Sequence, residues 1–363
     1  MDPSDNPTEP LSRLAQLPHP AQWSLLLAAS VILALLLELV HLPAAMLIGP
    51  LICGIVAGVN QLKVRVARPF FGAAQAVLGC LIATSISLSI FSTIAEEWVL
   101  VLGVVGATIM ASSFLGWLIS RWKILPGTTG VWGSAPGAAT AMVLMAGAFG
   151  ADQRLVAFMQ YLRVIFVTLA AAFIARLWVD TSGVEAVSVV WFPPIDPLAF
   201  AATIGIGAAG AIVGQLIRLP SPHFLGAFIL AGVLHLGFGI EMQLPEWLLA
   251  ISYAVIGWSI GLNFNRPILI HAARALPKIA LSILALMAFC GLLAWFIVEA
   301  LGVDPLTAYL ATSPGGMDSV AIIAAASDSV DISFVMALQA ARFLVVLMLG
   351  PSISRAVARL LKS

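Results

Sequence analysis

The sequence predicts an all-helical, polytopic membrane protein. It is made of two related halves of inverted topology, with about ten transmembrane helices and two re-entrant or broken Pro/Gly segments. Three observations lead there. Hydrophobic residues make up 61% of the chain and charged residues 9%, with a mean hydropathy of +1.07, whereas a soluble domain carries about 25% charged residues. Apolar stretches near the ~17–25 residues needed to cross a bilayer recur along the whole chain. A collinear series of internal matches also repeats after about 178 residues, the mark of a duplicated unit.

The first half is expected to span at Trp23–Val40, Ala44–Val59, Phe70–Phe91, Trp98–Ser120 and Leu155–Leu177. The second is expected to span at Leu198–Ile217, His223–Ile240, Trp247–Leu262, Ile279–Leu301 and Phe334–Leu349. LVHLPAAMLIGP (Leu39–Pro50) matches LIRLPSPHFLGA (Leu216–Ala227), and AVLG (Ala76–Gly79) matches AVIG (Ala254–Gly257). SAPGAAT (Ser134–Thr140) lies over TSPGGMD (Thr312–Asp318). Asp152, Gln160, Arg163 and Arg176 lie over Asp331, Gln339, Arg342 and Arg355. The organisation read from this is a polar cytoplasmic tail (1–20), a first membrane repeat (21–178), a linker (179–196), a second repeat (197–358) and a basic cytoplasmic tail (359–363). The start of the chain lacks the basic and apolar regions of a signal peptide, so the tail is expected to stay.

Charge placement sets the orientation, because short cytoplasmic loops carry the excess of Lys and Arg. Arg13, then Lys63, Arg65 and Arg68, then Arg121 and Lys123 mark one side of the first half, with Glu96 and Glu97 opposite. In the second half Arg218, then Arg266, Arg274 and Lys278, then Arg355, Arg359 and Lys362 fall on the cytoplasmic side only if that half begins outside. Both termini are therefore expected in the cytoplasm. Each half then crosses an odd number of times, which leaves Leu125–Gly150 and Asp304–Val330 as hairpins entering from opposite faces. Irregular backbone at membrane depth is tolerated only where protein or a watery cavity surrounds it, so both hairpins point to the centre of the molecule.

The candidate binding residues gather there. Ser134, Pro136 and Gly137 in the first hairpin and Ser313, Pro314, Gly315 and Gly316 in the second read as turns leading into short helices. Pro suits a first helical turn, the hydroxyls cap, and free N–H groups attract anions. The bland alternative is a close-packed proline kink. Gln160 with Arg163, and Gln339 with Arg342, share a helical face at a spacing of three residues. Each Arg lies about 12–14 Å into its span. An intramembrane charge costs ~2.5–3.5 kcal/mol even on the mild insertion scale and is a functional hypothesis by default. Either it meets an anionic solute, or it ties down hairpin carbonyls or pairs with a carboxylate such as Asp318. Thr140, Asp318 and Ser319 complete the candidate set, with Asp318 placed to take a coupling Na⁺ or H⁺. Glu38 reads as an interfacial side chain. Small-residue spacings such as Gly79/Ala83 and Gly257/Gly261 read as close helix contacts.

Cys53, Cys80 and Cys290 lie in apolar runs without CxxC spacing, and His19, His41, His223, His235 and His271 are scattered. No metal or other cofactor is expected, because an oxygen-activating site needs several converging ligands. A net charge of zero without a basic domain excludes a nucleic-acid partner.

The duplicated unit, with LPxxxLIGP near its start and SAPG or SPGGM followed by Q-x-x-R, resembles the bacterial integral membrane AbrB family. This is not the small DNA-binding regulator of the same name. The resemblance runs over about 20–358, and it implies a multi-pass protein of the bacterial inner membrane. Labels attached to that family are ammonia monooxygenase and regulator of gene expression. The first gains nothing from these residues, and the second stays open as an indirect effect. The inverted, hairpin-bearing repeat is also similar, at the level of fold alone, to ion-coupled anion transporters. The expected function is secondary transport of a small, anionic organic solute by alternating access. A membrane sensor is the alternative, and a monooxygenase is a disfavoured third. Expected partners are the bilayer and a small-molecule solute, with a homodimer left open.

Overall fold

The computed structural model describes residues 13–39, 44–84, 86, 98–137, 139–178, 191–315, 320 and 330–360. Every regular element among them is helical. After a single 3₁₀ turn (Arg13–Gln16) come α1 (His19–Leu39), α2 (Ala45–Val59), α3 (Arg68–Thr84), α4 (Trp98–Arg121), α5 (Thr129–Ser134), α6 (Ala139–Ala148) and α7 (Gln153–Trp178). Then follow α8 (Pro197–Leu216), α9 (Pro222–Phe238), α10 (Glu246–Gly261), α11 (Arg266–Leu301), α12 (Pro305–Thr312) and α13 (Ile332–Leu360). Helices α1, α4, α8, α11 and α13 are long and apolar enough to cross a membrane. Five more apolar helices, α2, α3, α6, α9 and α10, are shorter.

Two expected boundaries are corrected. The stretch beginning at Ile279 is the later part of α11, a continuous helix of 36 residues with Pro277 inside it. The basic residues Arg266, Arg274 and Lys278 are therefore helical rather than a loop. Ala272, Ala275, Ile279, Ile283, Leu286 and Cys290 line its buried side, so the apolar stripe begins among these charges rather than after them. The last helix likewise runs through Pro351 to Leu360, past the expected Leu349.

The chain forms two compact units, and the boundary between the sequence halves falls inside the second. The first unit holds residues 1–74 and 250–270, and the second holds 75–249 and 271–363. In the first unit α1 packs along α2, where a Cβ on Gly49 would lie 2.8 Å from the Ala34 nitrogen. The end of α10 presses into α2: a Cβ on Gly257 would lie 2.8 Å from the Leu47 oxygen and 2.9 Å from the Leu51 nitrogen. Trp258 Nε1 donates to Ser30 Oγ at 2.9 Å. Gln22, fully buried, donates to Leu17 O at 2.9 Å and accepts from Lys63 N at 2.9 Å, tying the start of α1 to the segment after α2.

In the second unit α8 and α9 lie so close that a Cβ on Gly210 would sit 2.6 Å from Ala227 Cα. The end of α3 joins them through an alanine-rich core of Ala76, Cys80, Ala83, Ala211, Ala227 and Ala231. A Cβ on Gly79 would lie 2.5 Å from the Phe224 oxygen and 3.0 Å from the Phe228 nitrogen. Gly79 on Phe224 and Phe228 is thus the same contact as Gly257 on Leu47 and Leu51. Without a hydrophobic force between helices in lipid, side-chain-free patches let backbones approach and gain dispersion contacts. Helices α2 and α9 are even entered alike, through left-handed Ala44 (φ 57°) and Ser221 (φ 53°). That is an uncommon conformation for a residue with a Cβ.

Candidate functional site

Proline chemistry builds the site. In α5 the Trp132 carbonyl would accept from the N–H of residue 136, but Pro136 has none. A proline also forces its predecessor out of the helical region, and Ala135 sits at φ −57°, ψ 123°. The helix stops, and its last carbonyls are orphaned. Gln160 of α7 replaces the missing donor: its Nε2 donates to Trp132 O at 2.8 Å and to Ala135 O at 3.1 Å. Arg163, one turn further, donates from Nη1 to Ala135 O at 2.8 Å and Ser134 O at 3.3 Å, and from Nη2 to Gln160 Oε1 at 2.6 Å.

The second broken segment repeats the glutamine bonds and most of the arginine ones. Pro314 leaves Leu310 O without its helical donor, and Ser313 is extended at φ −54°, ψ 136°. Gln339 Nε2 donates to Leu310 O at 2.7 Å and Ser313 O at 3.2 Å. Arg342 donates from Nη1 to Thr312 O at 3.2 Å and from Nη2 to Gln339 Oε1.

Each segment also returns to where it began. Asp152 N donates to Thr129 Oγ1 at 3.2 Å, joining the start of α7 to the start of α5. Asp331 N donates to Thr307 Oγ1 at 3.1 Å, joining the start of α13 to α12. Helix α5, six residues long, and α6, ten, are too short to cross the ~30 Å hydrocarbon, which takes about 20 helical residues. In the first segment α5 lies on α4, α6 and α7, and neither of its short helices crosses by itself.

The two arrangements belong to one cluster in the second unit. Helix α12 contacts α7, and α13 contacts α5 and α4. A Cβ on Gly315 would lie 3.0 Å from Val167 Cγ1, one turn beyond Arg163 on α7. Trp132 Nε1 donates to Ser354 Oγ of α13 at 3.0 Å, and its ring stacks on Phe149. Gly315 stands three residues past Thr312, whose carbonyl Arg342 holds, so the two arginines serve adjoining parts of one interior. They are 1% and 2% exposed, and no other charged side chain among the described residues is buried. The Nε of each has no hydrogen-bond partner among the described residues.

The sequence-derived candidates divide as follows. Ser134, Pro136, Gly137, Gln160 and Arg163 come together, as do Ser313, Pro314, Gly315, Gln339 and Arg342. Their hydroxyls turn back into their own helices, Ser134 Oγ to Gly130 O at 2.6 Å and Ser313 Oγ to Leu310 O at 3.2 Å. Thr140, on α6, bonds Tyr161 OH at 3.2 Å, beside Gln160. Gly316, Asp318 and Ser319 lie outside the described residues. Glu38 sits half-buried at the end of α1, in the first unit. The sequence reading missed Thr129, Thr307 and Trp132. The two threonines stand 178 residues apart, the offset that pairs Ser134 with Thr312 and within one residue of the one that pairs the arginines. Trp132 is matched by Leu310, and nothing in its local sequence marks its bond to a residue so far along the chain.

The family described as "Transition state regulatory protein AbrB" matches residues 47–358. The chain is 46% identical over 339 residues to the Escherichia coli (strain K12) protein named "Putative regulator AbrB", covering 93% of this chain and 97% of that one. It is 24% identical over 302 residues to "Uncharacterized protein YhjN" of Bacillus subtilis (strain 168), covering 79% and 78%. With its apolar spanning helices, this chain is a membrane-type helical protein that belongs to the AbrB family.

Proposed function

We propose that this protein is a secondary transporter of a small, anionic organic solute, working by alternating access around the two broken segments. One observation carries the reading: two arginines, each almost fully buried, with no other buried charge among the described residues and with Nε unpartnered there. Backbone carbonyls compensate such guanidiniums only in part, since carbonyls carry no net charge. An arriving carboxylate supplies the missing charge with two oxygens that match the guanidinium's fork.

The architecture behind this reading is two inverted repeats that exchange their third helices. Helix α10 of the second repeat packs on α2 of the first, and α3 packs on α9. The broken segments are then re-entrant hairpins entering from opposite faces of the bacterial inner membrane, with both termini cytoplasmic and about ten crossings. Half-helices meeting near the midplane of such repeats form the sites of several transporter folds. Asp318 would take the coupling Na⁺ or H⁺, and no enzymatic step is required.

The test is uptake of radiolabelled small carboxylates into proteoliposomes, with Arg163→Lys and Arg342→Lys beside the parent. Lysine keeps the charge but not the fork. Flux in the parent, reduced at least tenfold in either folded variant, supports the role. Flux unchanged in both removes the arginines from it. The relative named as a regulator favours a second reading, a sensor that binds the solute without moving it. Saturable binding with no flux under any ion gradient would select the sensor.

A further inference from the structure

We infer that Arg163 and Arg342 form one site rather than two, and that it takes a single small dicarboxylate, one carboxylate to each guanidinium. This rests on the anion-binding reading above and narrows it.

The geometry that joins them is reciprocal. The second segment's Gly315 lies against Val167, one turn past Arg163 on the same helix. The first segment's Trp132 lies against Gly350 and Ser354, on the helix that carries Arg342. Each broken segment is thus tied to its own arginine through its carbonyls and to the other arginine's helix through side-chain contact. Both guanidiniums are held from behind in the same manner among the described residues: a glutamine oxygen takes Nη2, and carbonyls at the end of the broken helix, two for Arg163 and one for Arg342, take Nη1. That leaves Nε as the donor without a described partner on each.

Two cations buried in adjoining parts of one low-dielectric interior repel strongly. A monoanion relieves that repulsion by half, whereas a dianion removes it. A site of this kind therefore discriminates by charge number more than by size. Asp318 lies outside the described residues.

The experiment is isothermal titration of the purified full chain in detergent with malonate, succinate and glutarate, against acetate and propionate. Arg163→Lys and Arg342→Lys are measured in parallel. The expected result is one dicarboxylate per chain, bound at least tenfold more tightly than propionate by the best member of the series. Each lysine variant should narrow that ratio toward one. The wild-type ratio needs no variant, so a misfolded mutant leaves the test intact. Two ligands per chain, or equal affinity for succinate and propionate, overturns the single dianion site while the anion reading stands. Binding of none of the five overturns both.

Discussion

The two broken segments share a backbone solution and differ in what pins it. In the first, Arg163 serves two carbonyls, Trp132 reaches Ser354 and stacks on Phe149, and Thr140 meets Tyr161. In the second, Arg342 serves one carbonyl among the described residues, and a leucine stands where the tryptophan was. The anchor there is Thr312, whose hydroxyl donates to Ala308 O at 2.9 Å and to Cys290 O of α11 at 3.1 Å. The shared part is what proline imposes: a missing N–H, an orphaned carbonyl and a glutamine that replaces the donor. The differing part is side-chain context, which two copies of one unit can vary independently once the backbone groups are satisfied.

The largest expected effect is loss of the arginines. Arg163→Ala strands Ser134 O, Ala135 O and Gln160 Oε1, and each buried unsatisfied polar group costs about 1–3 kcal/mol. Arg342→Ala strands fewer described acceptors. Thermal unfolding in detergent should show both variants severely destabilised, Arg163→Ala more so. An equal drop would erase the asymmetry.

Next come the exchanged helix contacts. Gly257→Ala places a Cβ 2.8 Å from the Leu47 oxygen, and Gly79→Ala meets Phe224 in the same way. Overpacking of this kind costs about 1–3 kcal/mol. The two should fall by similar amounts, and a large effect at one alone would break the parallel between α2–α10 and α3–α9.

The glutamines give a sharper comparison. Gln160→Leu should cost about 1–3 kcal/mol because Trp132 O loses its donor. In a Pro136→Ala background the restored N–H can serve that carbonyl, so the cost should shrink. Pro314→Ala should do the same for Gln339→Leu. A double-mutant cycle reads the coupling directly, and additive losses would show that the glutamines do not stand in for the missing N–H.

The smallest expected effect separates the halves again. Trp132→Phe keeps the ring but drops the bond to Ser354, for about 0.5–1.5 kcal/mol. Leu310→Phe has no such bond to lose. Calorimetry of the two variants tests whether the tryptophan is a pin or only volume.

Much of the site was legible before any coordinates, and for a definite reason. Proline, glycine and intramembrane arginine each carry a local penalty that sequence exposes, and duplication presents the residues of the broken segments twice at nearly one offset. That is why Gln160, Arg163, Gln339 and Arg342 stand out, and why Thr129 and Thr307 were within reach. The short helices preceding the breaks were harder to read. The motif looked like the start of a helix, yet its carbonyl side, the end of α5 and α12, is what the arginines hold. Helices α11 and α13 run beyond the apolar stretches read from the sequence, because a helix continues through charged residues that its exposed side carries.

Composition and periodicity alone determined that this chain is helical and suited to lipid, since so little charge cannot cover a soluble surface. The internal offset determined which residues correspond. Tertiary structure decided the rest: that the third helix of each half packs on the second helix of the other, and that Trp132 reaches Ser354. It also decided that two arginines 179 residues apart share one interior. Those outcomes depend on which glycine-cleared face meets which backbone, a matter of shape between distant segments that no local pattern encodes.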